Sequence, residues 1–310
     1  YALYWSTLGS FLGSVSLSLV MMQWLGVSAA VLVCAVLLAL GSLLLAKPGW
    51  QAWSKALMVG LAAAFINLLP NAEVVDTAYA DYTIKPLPQP GQATRRAFMI
   101  NNSLASIMDD SQPPNYARYV QHLRHIILDE LGLSGRKILV LGAGGFTLSH
   151  QEPTNHYTYV DIDAKIRDIA EQRFLKAPIE GTFIVDDARR FVRSTDQRFD
   201  AVVVDVFSSH TSIPGHLVTR EFWQDARRTL APGGVLLINL ILDGRLESSY
   251  ARNLLATIES IYGRCAVEVL HKSQPLSNVI VSCYDSSHPA GSAPYTDERN
   301  NADLDLALSQ

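Results

Sequence analysis

Hydrophobic positions are unevenly distributed along this chain of 310 residues. Residues 1–46 contain no charged side chain, and only Lys47 and Lys55 are charged before Glu73. A hydrocarbon layer about 30 Å thick is crossed by a helix of about 20 apolar residues. The pattern therefore predicts two membrane-spanning helices and a shorter third candidate, at residues 8–25, 27–46 and 56–69.

After residue 116, short apolar runs alternate with segments of helical spacing, which indicates a parallel sheet with crossover helices. The predicted helices cover residues 116–131, 146–152, 164–174, 187–193, 219–230 and 247–261. The predicted strands cover residues 137–141, 156–161, 182–185, 199–205, 235–240, 265–271 and 278–284. This order predicts an α/β fold, a Rossmann-like doubly wound sheet of the methyltransferase type that ends in an antiparallel pair.

The pattern divides the chain into four parts. Residues 1–70 would form the membrane helices, and residues 71–115 a linker and a small N-terminal β subdomain with strands at 77–84 and 96–107. Asn101-Asn102 is the turn predicted within the second of these stretches. Residues 116–285 would form the Rossmann-like domain, and the polar, aperiodic residues 286–310 a disordered tail.

Charge and cysteine content narrow the choice of partners. A net charge of −4 and a pI of about 6.1 argue against a nucleic-acid partner, which favours a basic surface. The three cysteines, Cys34, Cys265 and Cys283, lack the spacing of a metal site. We expect buried, reduced thiols and no metal ion.

A glycine-rich turn follows the strand at 137–141. Gly142 and Gly144 can adopt positive φ and allow a ligand to approach the backbone. Asp161 ends the next strand, 161 − 142 = 19 positions after Gly142. A carboxylate there can accept hydrogen bonds from ribose hydroxyls, so the arrangement predicts a nucleoside site.

Two further strand ends carry acidic residues. Asp187 follows the third strand, where its carboxylate could accept a hydrogen bond from an adenine amino group. Asp205 ends the fourth strand and could take a proton from an amine, since burial would raise its pKa. A role limited to capping the following loop is the alternative for Asp205. His210 lies in that loop, and we expect it not to be essential.

Five motifs carry a family resemblance. They are LVLGAGG at 139–145, VDID at 160–163, DDA at 186–188, DAVVVD at 200–205 and PGHLVTREF at 214–222. Together they resemble the spermidine synthase (polyamine aminopropyltransferase) family, and more closely its bacterial members fused to membrane helices. The resemblance covers roughly residues 76–284.

The resemblance implies a membrane-anchored aminopropyltransferase that moves an aminopropyl group from decarboxylated S-adenosylmethionine to a small amine. Asp161 would hold the ribose, Asp187 the adenine, and Asp205 would be the catalytic base. The resemblance also places Tyr119 in contact with substrate, together with Gln121 and His125. It further implies a homodimer, a bilayer partner and a multi-pass location in the bacterial inner membrane. Because adenosyl compounds are made in the cytoplasm, we expect the catalytic domain there.

The chain departs from the family where a polyamine would bind. Gly145 and Ser208 stand where the family has aspartates. Gln121 stands in place of a glutamate, and Ala105 in place of a glutamine. Because an unpaired ammonium in a cleft is costly, these changes affect the amine half of the site more than the adenosyl half.

Two other functions remain open at this point. An S-adenosylmethionine-dependent methyltransferase would share the fold and the adenosyl contacts, but it must accommodate the methionine carboxylate. A non-catalytic nucleoside-sensing domain coupled to membrane helices would explain the missing carboxylates. Ligand preference distinguishes these three hypotheses.

Overall fold

The computed structural model describes residues 2–16, 22–45, 50–68, 74–88, 93–207 and 213–284. The chain divides into two compact units, Tyr1–Asp81 and Tyr82–Gln310. The predictions for Ser208, His210 and the tail at 286–310 lie outside the described residues.

The first unit is mainly helical. It contains α1 (Ala2–Ser16), α2 (Met22–Leu45), α3 (Trp50–Leu68) and the short strand β1 (Val74–Asp76). Within the described residues, no helix combines the length and the hydrophobicity that membrane crossing requires. The spans predicted at residues 8–25, 27–46 and 56–69 are therefore not supported.

The second unit begins with an antiparallel meander. Strand β2 (Asp81–Leu87) pairs with β3 (Arg95–Ile100), which pairs with β4 (Ser103–Asp109). Asn101 and Asn102 connect β3 to β4 with φ values of 50° and 61°, the left-handed conformation that a two-residue hairpin turn requires. The predicted turn is confirmed.

A sheet of seven strands forms the centre of this unit, in the order β10-β11-β9-β8-β5-β6-β7. Strands β5 to β9 run parallel where they pair, whereas β11 pairs antiparallel with β9 and β10. This confirms the predicted doubly wound sheet with a terminal antiparallel pair. The strands are β5 (Lys137–Leu141), β6 (His156–Asp161), β7 (Thr182–Val185), β8 (Phe199–Val204), β9 (Leu230–Asp243), β10 (Ala266–Val269) and β11 (Leu276–Tyr284).

Helices cover the sheet and shield its apolar strands. Residues 138–141 of β5 and 201–204 of β8 are buried without alternation, as expected of strands covered on both faces. A π-helical turn, Ile126–Glu130, continues α4, and another, Ala170–Leu175, continues α5. The α-helices are α4 (Arg118–His125), α5 (Ile166–Ile169), α6 (Ala188–Ser194), α7 (Arg220–Arg228) and α8 (Ser249–Tyr262).

Strand register brings the predicted polar residues to one edge. Leu141 lies opposite Val160 on one side and Val204 on the other, so the residues that follow them meet at the same level. Val204 in turn lies opposite Ile238 of β9. The carboxyl ends of parallel strands therefore form a common edge, which is where doubly wound folds bind ligands.

One predicted helix is wrong. Residues 146–152 form irregular turns instead. Phe146 and Gln151 have φ values of 55° and 56°, in the left-handed region that an α-helix excludes. The connection from β5 to β6 is consequently not a crossover helix.

The cysteine prediction also needs correction. Cys265 and Cys283 form a disulfide, with their Cα atoms 4.5 Å apart. The antiparallel register pairs Ala266 with Ser282, which places the two cysteines directly opposite each other. Cys34 is a free thiol of intermediate exposure. The expectation of reduced thiols is therefore wrong for this pair. The two cysteines are 18 residues apart in the sequence, and their spacing alone does not indicate that they pair.

Candidate active site

A cavity of about 420 Å³ opens along the carboxyl edge of the seven-stranded sheet. Its floor runs from the ends of β6 and β7, past β5 and β8, to β9 and β11. Residues 103–107, mostly of β4, and the start of α4 form the opposite wall. This size is typical of cavities that bind small molecules.

The glycine turn approaches the cavity with its backbone. Gly142 has a φ of 88°, and a Cβ atom there would lie 2.3 Å from the carbonyl oxygen of Asp205. Only glycine fits at this crossing. Gly144 has a φ of 49°, and this backbone conformation explains why the residue is glycine. The space around Gly144 is open and leaves room for a ligand in the cavity.

Asp161 is held against this turn. Its Oδ2 accepts a hydrogen bond from the backbone N–H of Ala143 at 2.9 Å, and its Oδ1 accepts one from the N–H of Asp163 at 3.0 Å. Burial raises the pKa of Asp161, and these two amides oppose the rise. The carboxylate is therefore fixed in orientation on the cavity wall.

Tyr82 supports this arrangement and was not predicted from the sequence. Its hydroxyl donates to Oδ2 of the buried Asp163 at 2.9 Å. Burial raises the pKa of Tyr82, and the nearby carboxylates raise it further. The β2 strand is thereby tied to the loop after β6.

Asp187 lines the cavity and caps α6. Its Oδ1 accepts the backbone N–H of Arg190 at 2.9 Å, and its Oδ2 lies 3.4 Å from Nε2 of His216. Capping uses one oxygen, so the second can also face a ligand.

Asp205 lies on the cavity floor at the end of β8. Its Oδ1 accepts a hydrogen bond from Nδ2 of Asn239 at 2.8 Å, and Oδ1 of Asn239 accepts one from Nδ2 of Asn278 at 2.9 Å. Burial raises the pKa of Asp205 to about 6, although the hydrogen bond from Asn239 and the nearby hydroxyl of Tyr119 act to lower it. A carboxylate with this pKa can exchange protons near neutral pH.

The two asparagines were missed in the sequence. Asn239 is the one polar residue in the run Val235-Leu-Leu-Ile-Asn-Leu-Ile-Leu242 and is buried. An isolated polar side chain in a buried strand needs a partner, so this position carried a usable signal. Asn278 had no comparable signal.

Tyr119 is brought to Asp205 as the sequence suggested. Its hydroxyl donates to the backbone carbonyl of Ala105 at 2.8 Å and lies close enough to Asp205 to affect its pKa. Burial raises the pKa of Tyr119 well above its ordinary value, and the charge of Asp205 raises it further. Tyr119 therefore stays a neutral hydrogen-bond donor.

Gln121 and His125 do not line the cavity. Both side chains are exposed, and the imidazole of His125 contacts Asp129 at 2.8 Å and Glu130 at 3.5 Å. With about 100° per residue, they lie about 200° and 240° around the helix from Tyr119. One helix cannot present all three residues to the same cavity.

The structure gives a reason for the glycine at position 145. A Cβ atom on Gly145 would lie 2.4 Å from the ring of Phe174 and 3.2 Å from Cβ of Ser106. The space for a side chain is therefore already filled.

Within the described residues, no group of three or more histidine, cysteine, aspartate or glutamate side chains is arranged to hold a metal ion.

The fold and the strand-end carboxylates define a class, the Rossmann-like domains of the methyltransferase type. A family described as "Methyltransferase domain" matches residues 139–234. Two solved structures share the fold. One is a probable spermidine synthase from Corynebacterium glutamicum, with a TM-score of 0.56 and 22% identity; the match covers 69% of this chain and 80% of that chain. The other is the spermidine synthase of Thermotoga maritima, with a TM-score of 0.52 and 14% identity; the match covers 68% of this chain and 72% of that chain.

Several curated relatives are named polyamine aminopropyltransferases. The polyamine aminopropyltransferase of Vibrio vulnificus is 31% identical over 135 residues, which cover 41% of this chain and 44% of the relative. Polyamine aminopropyltransferase 2 of Hyperthermus butylicus is 28% identical over 200 residues, which cover 60% and 62%. The chain thus spans less than two thirds of these relatives. These relatives and structures support the resemblance to the spermidine synthase family, and the membrane-fused branch is not shown.

Proposed function

We propose that this protein is an aminopropyltransferase that moves the aminopropyl group of decarboxylated S-adenosylmethionine to a primary amine. One observation carries the proposal. The cavity that contains the glycine turn and Asp161 also contains Asp205, a carboxylate with a pKa of about 6. The names of the relatives support the same reaction.

In this proposal the donor lies along the side of the cavity formed by the ends of β5, β6 and β7, which we call the donor half. Asp161 accepts hydrogen bonds from the ribose hydroxyls, and the backbone at Gly144 lies against the nucleoside. Asp187 accepts a hydrogen bond from the adenine amino group. The positive charge of the sulfonium would face Asp205.

Asp205 would accept a proton from the ammonium of the acceptor, leaving a free amine. The nitrogen lone pair then forms a bond to the aminopropyl carbon next to sulfur. The carbon–sulfur bond breaks, and its electron pair goes to sulfur, which becomes the neutral thioether of methylthioadenosine. The product is a secondary ammonium, so atoms and charge balance.

Tyr119 and Asn239 would act by positioning the base. Asn239 orients one oxygen of Asp205, and the phenol of Tyr119 contacts the carboxylate from the other side of the cavity. A raised pKa makes the carboxylate a stronger base than an exposed aspartate, while these donors keep it ionised at neutral pH.

Methyl transfer is the second candidate, because the family that matches residues 139–234 is described as a methyltransferase domain. A methyltransferase would bind S-adenosylmethionine with its carboxylate.

Gln121 and His125 stay predictions as substrate contacts, as does the homodimer. The cytoplasmic location of the catalytic domain also stays a prediction.

Calorimetric titration of the purified full chain tests the proposal. Decarboxylated S-adenosylmethionine, S-adenosylmethionine and methylthioadenosine are compared, with Asp161→Ala as the control. Tighter binding of the decarboxylated ligand, lost in the control, is expected. Preference for S-adenosylmethionine would favour the methyltransferase, and a chain that binds these nucleosides without turnover would favour a sensing domain.

A further inference from the structure

The cavity changes in character beyond β8. On the side of β5 to β8 its lining includes the carboxylates Asp161, Asp187 and Asp205. On the side of β9 and β11, the described lining contains no acidic residue. We call the β9 and β11 side, together with the facing residues of β4 and α4, the acceptor half.

Apolar side chains form part of the acceptor half. Leu104 and Ile107 face it from β4, and Ile241 faces it from β9. None of these side chains can replace the water around a charged group. A bound chain of methylene groups would therefore fit here, whereas a charged end would need a partner further along.

A positive charge stands at this half of the cavity. Arg118, the first residue of α4, donates from Nη1 to Nδ1 of His271 at 3.3 Å. Because arginine only donates, Nδ1 of His271 accepts, and the neutral imidazole carries its proton on Nε2. Within the described residues, no carboxylate pairs with Arg118. The guanidinium and the imidazole N–H thus offer donors to a ligand.

The backbone holds His271 in this place. Its N–H donates to Oγ of Ser277 at 2.8 Å, which closes the turn between β10 and β11. Asn278, which begins the polar chain to Asp205, lies next to Ser277 in the same strand. The donor pair is therefore connected to the catalytic end through one strand.

We propose that the acceptor is an amine that carries an anionic group at its far end, such as an amino carboxylate, and that Arg118 with His271 binds that anion. The inference rests on the proposed aminopropyl transfer. A diamine would place its second ammonium near an unpaired guanidinium, whereas a carboxylate would form charge-assisted hydrogen bonds with it. Gly145 stands where the family has an aspartate, and the absence of that acid agrees with an anionic acceptor. Phe174 fills the space that a side chain at position 145 would take.

Three amines of matched length test the acceptor. Butylamine, putrescine and 4-aminobutyrate share a primary amine on a four-carbon chain and end in a methyl, an ammonium and a carboxylate. Each is titrated into the full chain with saturating methylthioadenosine, and release of methylthioadenosine from decarboxylated S-adenosylmethionine is measured separately. We expect 4-aminobutyrate to bind at least about 10-fold more tightly than putrescine, one charge-assisted hydrogen bond being worth this much.

Variants of Arg118 test whether its guanidinium binds the carboxylate of 4-aminobutyrate. Arg118→Gln should reduce 4-aminobutyrate binding to the level of butylamine and leave butylamine unchanged, and Arg118→Glu should reverse the preference towards putrescine. Lys272→Gln removes an exposed charge from the neighbouring turn and should change nothing. Putrescine binding as tightly as 4-aminobutyrate, an unaltered preference in Arg118→Gln, or no binding of any amine would overturn the inference. If the binding order holds but no amine supports transfer, the proposed function fails, and only the anion-binding role of Arg118 and His271 is retained.

Discussion

The donor and acceptor halves of one cavity are built in different ways. Three acidic residues line the donor side up to the centre: Asp161 is the last residue of β6, and Asp187 and Asp205 follow β7 and β8. The acceptor half combines a guanidinium, an imidazole, amides and apolar side chains. A family resemblance based on strand ends therefore predicts the nucleoside site well. It predicts the identity of the amine less well.

The difference follows from how each half is assembled. The donor half uses residues directly after parallel strands, and these share one edge by register. The acceptor half combines the hairpin of β3 and β4, the start of α4, and the antiparallel strand β11 with its turn. Such positions change without disturbing the parallel sheet, so specificity can diverge there while the donor half is kept.

The largest expected effect is on Asp205, where the two halves meet. Asp205→Asn should lower kcat by about 10³-fold, within the usual range for loss of a general base, and leave the affinity for uncharged methylthioadenosine unchanged. In the unmodified protein activity should decline as pH falls through about 6, because the protonated carboxyl cannot accept a proton. Steady-state rates from pH 5 to 8 check both expectations.

Asp196→Asn makes the same chemical change at an exposed position and serves as the control. Full activity in Asp205→Asn would exclude Asp205 as the base and would favour the loop-capping alternative.

Loss of the donor contact should come next. Asp161→Ala should weaken binding of methylthioadenosine by about 10- to 100-fold, the value of hydrogen bonds to a charged group, without changing the order of amine preference. Calorimetry measures the affinity, and Asp168→Ala removes an exposed acid as control. Equal affinity in Asp161→Ala would show that the ribose lies elsewhere.

A third prediction concerns restoring the aspartate that the family has at position 145. Gly145→Asp should destabilise the fold by about 1–3 kcal/mol, because the new side chain meets the ring of Phe174. It should not produce putrescine-dependent turnover. Urea unfolding and the amine panel measure the two effects, with Gly144→Ala as a comparison in which strain comes from φ alone. A stable variant that uses putrescine would contradict the account of both halves.

The smallest expected effect concerns the asparagine that orients the base. Asn239→Ala removes a hydrogen bond that lowers the pKa of Asp205, so the acid limb of the rate profile should move to higher pH by up to about one unit. Asn278→Ala should shift the limb less, because Asn278 reaches Asp205 only through Asn239. An unmoved limb in Asn239→Ala would mean that the asparagine has only a structural role.

Much of the fold could be read from the sequence, with exceptions that have physical causes. The strand positions were predicted closely because fully buried strands appear as uninterrupted apolar runs. The helix predicted at 146–152 failed because positive φ at Phe146 and Gln151 is set by packing rather than by spacing. The membrane helices, predicted from apolar length alone, are not supported by the described residues.

The candidate site shows the same division. Gly142, Asp161, Asp187 and Asp205 could be found because each ends or closely follows a predicted strand. Tyr82, Asn239, Asn278, Arg118 and His271 could not be assigned together, since they lie on five separate segments. The pairing of Cys265 with Cys283 likewise depends on a strand register.

The sequence by itself determined the parallel sheet, the glycine turn and the acids at the strand ends, because hydrophobic burial and backbone geometry act over a few neighbouring residues. Only the tertiary structure decided the raised pKa of Asp205, the orientation of its partners and the cation at the acceptor half. Desolvation and charge depend on what surrounds a group in three dimensions, and those neighbours come from distant parts of the chain.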